Sequence, residues 1–380
     1  MSKTILVISP IIPSPLHAGG KRILDIYKNI KQKRRDCKIV LILFASNKIS
    51  SSNDSSKFRN IFDDVYFIKK KISLRKFILQ NKNLRNYQFD LIDLQYTLSG
   101  KYISDCRFLW PSSLVLLSVM DSSLRSLIIF LRKKWKNLFF PWISFLKLIK
   151  FSFLELIYIS LSDKVTTVSE ADNKIINRFI FSRVTSTCLP TCEFNHQKTF
   201  RINKKNNKTI VYFAYFKSKT NIESLMWFCS KVHPLILKKI PDYTFRIAGY
   251  GLDMKLKKKL SNIKNVKVIG SVSNINDAFD DSSVGIIPAL SGAGIRGKIH
   301  QYSLAKIPSV ASKIAVEGLK YEHNKSIMLA NNECDFSKFC TYLLLNKSFA
   351  RKMALSAKKL CLDEYVWSKK LKDIKNIYDL

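Results

Sequence analysis

The chain has 380 residues, which is enough for two domains that each bury a core of their own. Its hydrophobic content of 47% excludes a disordered polypeptide and indicates packed globular domains. The 65 basic and 28 acidic residues give a formal net charge of +37, which favours polyanionic partners such as nucleic acid, anionic lipid or nucleotide phosphates. Because the basic residues are spread along the chain, a histone-like arm is disfavoured, and ordinary surface solvation is an alternative explanation for many of the lysines.

The N-terminal half alternates between strand-like and helix-like segments. Residues 4–9 have a buried-strand pattern that ends at Pro10, and a loop with the pair Gly19-Gly20 leads into a basic helix near Lys21. A strand, a glycine loop, a helix and a second strand are the usual opening of a parallel α/β domain. Short apolar runs predict further strands over 38–44, 64–68, 91–94, 114–119 and 164–168.

Residues 124–154 mix basic and aromatic side chains and contain no acidic residue. The charges interrupt every apolar run before it reaches the roughly 18 residues of a membrane-spanning helix. Such a mixture is typical of a surface that lies on anionic lipid, and we expect that partner for this segment. One or two core-packed helices with basic outer faces are the alternative. The basic residues of the segment are Arg125, Arg132, Lys133, Lys134, Lys136, Lys147 and Lys150.

The C-terminal half repeats the α/β pattern. A polar, basic stretch over about 193–208 is typical of a linker between domains. Two alternating series predict an α/β fold with two Rossmann-like, doubly wound domains that face a central cleft, where such sheets bind ligands. The second series has predicted strands over 210–214, 244–248, 266–269, 284–287, 309–311 and 326–329, and a final helical region over 350–380.

The eight cysteines are scattered, and Cys188 and Cys192 form the close pair among them. Because no second pair at zinc-ligand spacing accompanies them, we expect no metal site. The chain begins with MSKTILVISP, which lacks the pattern of a secretory signal. Reduced thiols in the cytoplasm are therefore the simplest interpretation.

The segment after the strand over 284–287 carries the clearest sign of a ligand site. A small-residue loop over 291–294 passes into a helix-like stretch with Arg296 and Lys298. Glycines let the backbone approach a ligand closely, and a helix N-terminus offers free N–H donors. The pattern therefore suits an anion such as a diphosphate. A glycine-containing turn that binds nothing is the alternative.

This segment resembles the donor-binding region of family 4 glycosyltransferases, which are retaining enzymes with two Rossmann-like domains in the GT-B arrangement. The matching positions are Gly292, Gly294, Arg296, Lys298, Pro308, Val310 and Glu317-Gly318-Leu319. The resemblance covers nearly the whole chain, with further matching pieces at 10–22, 90–95, 169–172, 212–228 and 245–251. It implies an acceptor-binding domain over 1–195, a nucleotide-sugar-binding domain over 196–365, and a C-terminal helix over 366–380 that packs on the N-terminal domain.

The resemblance also implies roles for individual residues. Arg296 and Lys298 would hold the donor diphosphate and stabilise the charge that builds as this group leaves. A solvated helix face is the alternative for both. A turn with surface charges is the alternative for Gly19, Gly20 and Arg22, and turn capping is the alternative for Glu317. The predicted catalytic residues are Arg296 and Lys298, the predicted donor-binding residues are Gly294, Gln301 and Glu317, and the predicted substrate-binding residues are Gly19, Gly20, Arg22 and Asp121.

Four positions depart from the family pattern. Gln301 replaces the ribose-binding glutamate, Lys306 and Ala214 replace glycines, and Met120 replaces a histidine. A glutamine still accepts a hydrogen bond from a ribose hydroxyl, although it lacks the charge.

The resemblance implies a retaining hexosyltransferase in the cytoplasm, peripheral at the inner face of the plasma membrane, that needs no metal or other cofactor. It would transfer a sugar from a nucleotide diphosphate to a cell-surface glycan precursor, for example a lipid-linked one. A catalytically degenerate protein that binds glycan or membrane is the rival hypothesis. Nucleic-acid binding rests on charge alone, and we expect none.

Overall fold

The computed structural model describes residues 3–15, 18–45, 60–69, 72–134, 142–180, 184–194, 208–272, 274–291 and 297–380. The chain divides into two compact units. The first comprises Met1–Pro190 with Lys370–Leu380, and the second comprises Thr191–Lys369. The predicted boundaries at 195 and 365 lie a few residues from these. Most of the predicted linker over 193–208 lies outside the described residues.

In the described part of the first unit, seven strands form one parallel sheet. They are β1 (Thr4–Ser9), β2 (Lys38–Ala45), β3 (Asp64–Lys69), β4 (Leu91–Gln95), β5 (Leu114–Val119), β6 (Lys164–Thr167) and β7 (Thr185–Cys188). Their order across the sheet is β3-β2-β1-β4-β5-β6-β7. The direction of winding therefore changes between β1 and β4, and doubly wound sheets bind ligands at the carboxyl ends of such a pair.

Helices cover both faces of this sheet, so residues on both sides of its central strands are buried. In β1, for example, residues 5–8 are completely buried. The first helix begins at Ala18, so Gly19 and Gly20 lie in its first turn and not in a loop before it, which corrects the predicted start near Lys21. The helices of this part are α1 (Ala18–Lys33), α2 (Leu74–Gln80), α3 (Lys82–Arg85), α4 (Ile103–Leu109), α5 (Ser123–Lys134), α6 (Trp142–Ser160) and α7 (Glu170–Asn177).

The second unit, as far as it is described, contains a parallel sheet of six strands. They are β8 (Thr209–Phe213), β9 (Thr244–Ala248), β10 (Val266–Gly270), β11 (Val284–Ile287), β12 (Ser309–Ser312) and β13 (Met328–Ala330). The order is β10-β9-β8-β11-β12-β13, so the winding changes between β8 and β11. The helices are α8 (Lys219–Trp227), α9 (His233–Lys239), α10 (Met254–Ser261), α11 (Ile275–Phe279), α12 (Lys298–Leu304), α13 (Glu333–Leu345) and α14 (Lys347–Glu364).

The end of the chain returns to the first unit. A 3₁₀ turn (Trp367–Lys369) follows α14, and the last helix is α15 (Leu371–Tyr378). Trp367 is buried at this break, which divides the predicted helical region over 350–380 into α14 and α15. The Tyr378 hydroxyl donates a hydrogen bond to the Asp93 carboxylate on β4.

The structure confirms the predicted α/β fold with two doubly wound parallel sheets. Two details differ from the prediction. The strand β7 was missed because its sequence, TSTC, contains no apolar run. The strand predicted over 326–329 lies at Met328–Ala330 instead. Within the described ranges, no helix is both long enough and apolar enough to cross a bilayer.

Candidate functional site

A pocket opens in the second unit where β8 and β11 lie side by side. It is open to solvent, and about 220 Å³ of non-atom space, part of it open solvent, lies in it. The pocket receives residues from β8, from the segment that follows β11, from α8 and from the start of α12. It therefore lies where the winding of the sheet reverses, which is the usual ligand position in such folds. The lining residues are Tyr212, Thr220, Asn221, Ser224, Ile287, Pro288, Ala289, Ser291 and Lys298.

Lys298, one of the two predicted catalytic residues, lines this pocket. Its Nζ lies 4.5 Å from the centroid of the Tyr212 ring, within the range of a cation–π interaction. Among the described lining residues, Lys298 is the one with a formal charge, and hydroxyl groups and an amide supply most of the remaining polar atoms. A cation surrounded by such donors suits an anionic ligand that has several oxygen atoms.

Hydrogen bonds fix the α8 wall of the pocket. The Asn221 side-chain amide donates to the Tyr215 carbonyl oxygen over 2.8 Å. The Tyr212 hydroxyl donates to the Asn221 carbonyl oxygen over 3.3 Å. The Ser224 hydroxyl donates to the Thr220 carbonyl oxygen over 2.8 Å. The first two bonds hold the start of α8 against the end of β8, and the third lies within α8.

Tyr302 connects α12 to the carboxyl end of β8. Its hydroxyl accepts a hydrogen bond from the Phe213 N–H over 3.0 Å and donates to the Val211 carbonyl oxygen over 3.3 Å. Burial raises the pKa of this hydroxyl, so it stays protonated. Gly285 on β11 makes room for the ring, since a Cβ there would lie 2.7 Å from it. The register of α12, and with it the position of Lys298, is therefore set by Tyr302.

The other predicted donor residues are placed as follows. Gly294 and Arg296 lie outside the described residues. Gln301 is half-buried on α12, three residues after Lys298, and is not among the side chains that line the pocket. Glu317 is exposed in the segment after β12 and precedes Gly318, which has a φ of 82°. The structure thus brings Lys298 into the pocket, and the roles of the other residues stay predictions.

Lys306 lies between α12 and β12 with a φ of 54°. This is the left-handed region, which glycine adopts without the steric penalty of a side chain. The family pattern has glycine at this position, and the structure gives the physical reason. The departure at Lys306 therefore strains the turn and does not alter the pocket.

In the first unit, Gly19 and Asp121 meet around Tyr96 at the carboxyl edge of the sheet. A side chain at residue 19 would collide with the Tyr96 hydroxyl, so glycine allows this close approach. Asp121 follows β5 and is exposed. The pKa of Tyr96 is raised mainly by burial and then by the charge of Asp121, while Arg22 lowers it. Three of the predicted substrate-binding residues are thus electrostatic or steric neighbours.

Arg22 was predicted to present its guanidinium to a phosphate, but in the structure the side chain is buried. Two of its nitrogens donate to the Leu189 carbonyl oxygen just after β7, over 3.0 and 3.3 Å. A third contacts the Met120 sulfur at 3.4 Å. These contacts explain the arginine without a ligand. Gly20 is also buried in the first turn of α1.

Arg125 does not belong to the basic surface that was predicted over 124–154. It is 1% exposed and donates to Asp172 over 3.2 Å in a buried ion pair. Asp172 also bonds to Ser169, whose side chain caps α7. Arg125 therefore joins α5 to α7 and does not reach a membrane. The side chains of Arg132, Lys133 and Lys134 and the whole of Lys136 lie outside the description.

Sequence reasoning missed two aromatic residues that shape these sites. Tyr212 was part of a motif, but its contact with Lys298 depends on the pairing of distant strands. Tyr96 has a φ of 66°, and no pattern in the sequence predicts this positive value. Its position directly after the central strand β4 was the available signal. Among the described residues, no group of three or more His, Cys, Asp or Glu side chains is arranged to hold a metal ion.

Comparison with known sequences connects this pocket to a family. Residues 207–346 match the family Glycosyl transferases group 1. The matched segment contains every residue that lines the pocket. The match therefore connects the segment around the pocket, which is less than half of the chain, to this family.

Solved structures of other proteins share the fold along nearly the whole chain. Sucrose-phosphate synthase from Thermosynechococcus elongatus superposes with a TM-score of 0.74 at 12% identity, over 99% of this chain and 98% of that one. HepE of Anabaena in complex with UDP and glucose gives 0.70 at 13% identity, over 99% of each chain. A mutant of S. aureus TarM in complex with fondaparinux, alpha-GlcNAc-glycerol and UDP gives 0.68 at 11% identity, over 100% of each chain. At these identities the likeness shows the fold.

One curated relative matches part of the chain. It is the uncharacterized 44.6 kDa protein in the cps region of Klebsiella pneumoniae, which is 27% identical over 167 residues. The match spans 42% of this chain and 43% of that relative. Less than half of either protein is therefore compared.

Proposed function

We propose that the protein is a retaining glycosyltransferase that moves a hexose from a nucleotide diphosphate to a cell-surface glycan precursor. The observation that carries the proposal is the ammonium group of Lys298, held against the Tyr212 ring in a polar pocket at the switch point of the second sheet. This pocket lies inside the segment that matches glycosyltransferases. A fixed cation stabilises the negative charge that develops on a departing diphosphate.

In the proposed reaction, Lys298 and Arg296 bind the diphosphate, Gly294 and Gln301 contact the nucleotide, and Glu317 binds a sugar or ribose hydroxyl. The bond between the anomeric carbon and the diphosphate oxygen breaks, and its electron pair leaves with the diphosphate. The acceptor hydroxyl bonds to the anomeric carbon on the same face. Its proton passes to a donor phosphate oxygen, so the proposal needs neither a protein nucleophile nor a metal or other cofactor.

The comparisons suggest which donor to test first. HepE and TarM are both found in complex with UDP, and this supports a uridine diphosphate sugar. The acceptor would bind to the first unit, near Gly19 and Asp121, which lie beside Tyr96. The cps region named for the Klebsiella relative supports a role in capsule-like polysaccharide or lipopolysaccharide synthesis. We place the enzyme in the cytoplasm, at the inner face of the plasma membrane.

The direct test is an assay of donor hydrolysis and transfer with a panel of UDP- and GDP-sugars. We expect Lys298→Ala to lower kcat/KM about 100- to 1,000-fold, the usual loss when a group that stabilises developing charge is removed. Lys338→Ala, an exposed lysine on α13, is the matched control. Nuclear magnetic resonance of the product reports whether the anomeric configuration is retained. Absence of both turnover and binding with every donor would contradict the proposal.

A catalytically degenerate GT-B protein that binds glycan or membrane is the second candidate. Gln301 favours it, because the uncharged amide binds a ribose hydroxyl more weakly than a carboxylate does. The variant Gln301→Glu separates the two candidates. A rise in transfer rate indicates an enzyme limited by donor binding, whereas unchanged donor binding without transfer indicates a binding module.

A further inference from the structure

The helix α6 presents an unusually apolar face to solvent. Trp142, Ile143, Leu146, Ile149 and Phe153 are 64%, 73%, 61%, 40% and 65% exposed. Four of them recur at intervals of three or four residues, so they form one stripe along the helix. Isolated exposed apolar residues are ordinary, but a continuous stripe of this kind marks an interaction surface.

The opposite face of α6 is firmly held. Ser152, Glu155 and Ile159 are 3%, 0% and 2% exposed. The Glu155 carboxylate accepts hydrogen bonds from the Ser122 hydroxyl and the Ser123 N–H, both over 2.6 Å. These bonds tie α6 to the start of α5. The rotation of the helix is therefore fixed, and the apolar stripe points outward as a consequence.

The charges beside the stripe have one sign. Lys147 and Lys150 are exposed on α6. Glu155 is the acidic residue of the sequence over 142–160, and its carboxylate is buried. The exposed face is thus apolar with a positive flank and carries no carboxylate to repel an anion. With a formal net charge of +37 on the chain, two copies repel each other, so charge favours an anionic partner over self-association.

We propose that α6 docks the protein on an anionic lipid bilayer and lies parallel to its surface. Trp142, Leu146 and Phe153 enter the boundary between the headgroups and the acyl chains, and Lys147 and Lys150 contact lipid phosphates. Such a division between apolar insertion and basic flanks is how interfacial helices bind. The inference rests on the geometry of α6 and is independent of the proposed transfer reaction.

Flotation of the full-length protein with vesicles tests the charge contribution. We expect binding to vesicles that contain phosphatidylglycerol and much weaker binding to pure phosphatidylcholine. The double variant Lys147→Gln/Lys150→Gln should lower the partition coefficient about 25-fold, because each lysine near an anionic surface contributes about fivefold. Lys338→Gln/Lys352→Gln removes two exposed lysines from α13 and α14 and should have little effect. Equal losses in the two double variants would overturn the proposal.

A second pair of variants tests the contribution of the apolar side chains of α6 to vesicle binding. Trp142→Ser/Phe153→Ser should lower the partition coefficient about tenfold or more, since apolar burial in the interface is lost. Met254→Ser/Leu345→Ser is the matched control, because these residues are 79% and 57% exposed on the second unit. Sedimentation velocity detects a dimer, in which a second copy of the protein would cover the apolar face of α6. If the α6 variant abolishes a dimer and leaves vesicle binding intact, the face binds a second copy and the proposal is wrong.

Failure of this proposal is distinguishable from failure of the transferase assignment. The vesicle assay contains no nucleotide sugar, so loss of vesicle binding says nothing about the Lys298 pocket. A protein that binds no phosphatidylglycerol vesicles but transfers sugar would overturn the docking surface and the proposed membrane location, and would leave the transferase assignment standing.

Discussion

The Tyr378 hydroxyl lies 2.6 Å from the Asp93 carboxylate, although the two residues are 285 positions apart in the chain. Asp93 is completely buried in the centre of the first sheet. Tyr27 donates to the same carboxylate oxygen, and Gln95 and Ser118 also bind the carboxylate. One buried carboxylate therefore ties the last helix, α15, to the middle of the first unit.

The variant Tyr378→Phe should loosen α15. It removes one donor from a buried carboxylate, which costs about 1–3 kcal/mol. Hydrogen exchange of the amides of α15 and β4 measures the change, and both segments should exchange faster. Tyr342→Phe removes a hydroxyl from a tyrosine that is 41% exposed, and it should leave exchange in α15 unchanged. Similar effects of the two variants would contradict this interpretation.

The stability of the first unit should depend on pH through Asp93. Burial raises the pKa of this carboxyl above its ordinary range, although hydrogen bonds from Tyr27, Tyr378 and Ser118 lower it. A raised folded-state pKa means that the stabilising contribution is complete below the unfolded-state pKa, about 3.9, and is lost as the pH rises through the folded-state pKa.

Asp93→Asn removes this titration. The free energy of unfolding of the wild type relative to Asp93→Asn should therefore be greatest near about pH 4, close to the unfolded-state pKa, and should fall over the pH interval above it. Urea denaturation of both proteins at several pH values in this interval measures the difference. A difference that stays constant over the interval would show that Asp93 does not titrate there.

The Tyr212 ring should hold the Lys298 ammonium group mainly through its aromatic face, and the hydroxyl should contribute little. A cation–π contact contributes about 0.5–2 kcal/mol, so Tyr212→Leu should lower kcat/KM for the donor about 2- to 30-fold. Tyr212→Phe keeps the ring and loses the 3.3 Å hydrogen bond to the Asn221 carbonyl oxygen, so it should retain most of the activity. Because residue 212 is buried, thermal unfolding of both variants must show that the second unit remains folded under the assay conditions. Equal activity losses in both variants would assign the effect to the hydroxyl group.

Lys306→Gly should stabilise the second unit. The φ of 54° at this position penalises any side chain, and glycine removes the penalty while it adds freedom to the unfolded chain. We expect the free energy of unfolding to rise by up to about 1 kcal/mol. The same substitution in the interior of α14, Lys352→Gly, should lower it by about 1 kcal/mol. Chemical denaturation measures the free energy of unfolding of both variants. The two changes should have opposite signs, and equal signs would contradict the prediction.

Much of the fold could be predicted because buried parallel strands are apolar on both faces. The run over 284–287 and the run over 4–9 correspond to β11 and β1 for this reason. The strand β7 could not be predicted, since its polar residues are placed by their pairing with β6 and not by their own hydropathy.

The candidate site could be predicted only in part. Lys298 was found from its position after a glycine-rich loop. The burial of Arg22 and Arg125 was not predicted, because an arginine in a basic sequence is expected to lie on the surface. Each is buried only because a partner from a distant segment, Leu189 or Asp172, accepts its hydrogen bonds. Such long-range partners leave no local pattern.

The return of α15 to the first unit has a consequence for synthesis. The ribosome makes β4 early but makes Tyr378 only after the whole second unit. At about 5–20 residues per second, the wait is roughly 15 to 60 s. During that time the first sheet must form with the Asp93 carboxyl short of one hydrogen-bond donor. The N-terminal unit therefore cannot reach its final state until the last helix, α15, has been made.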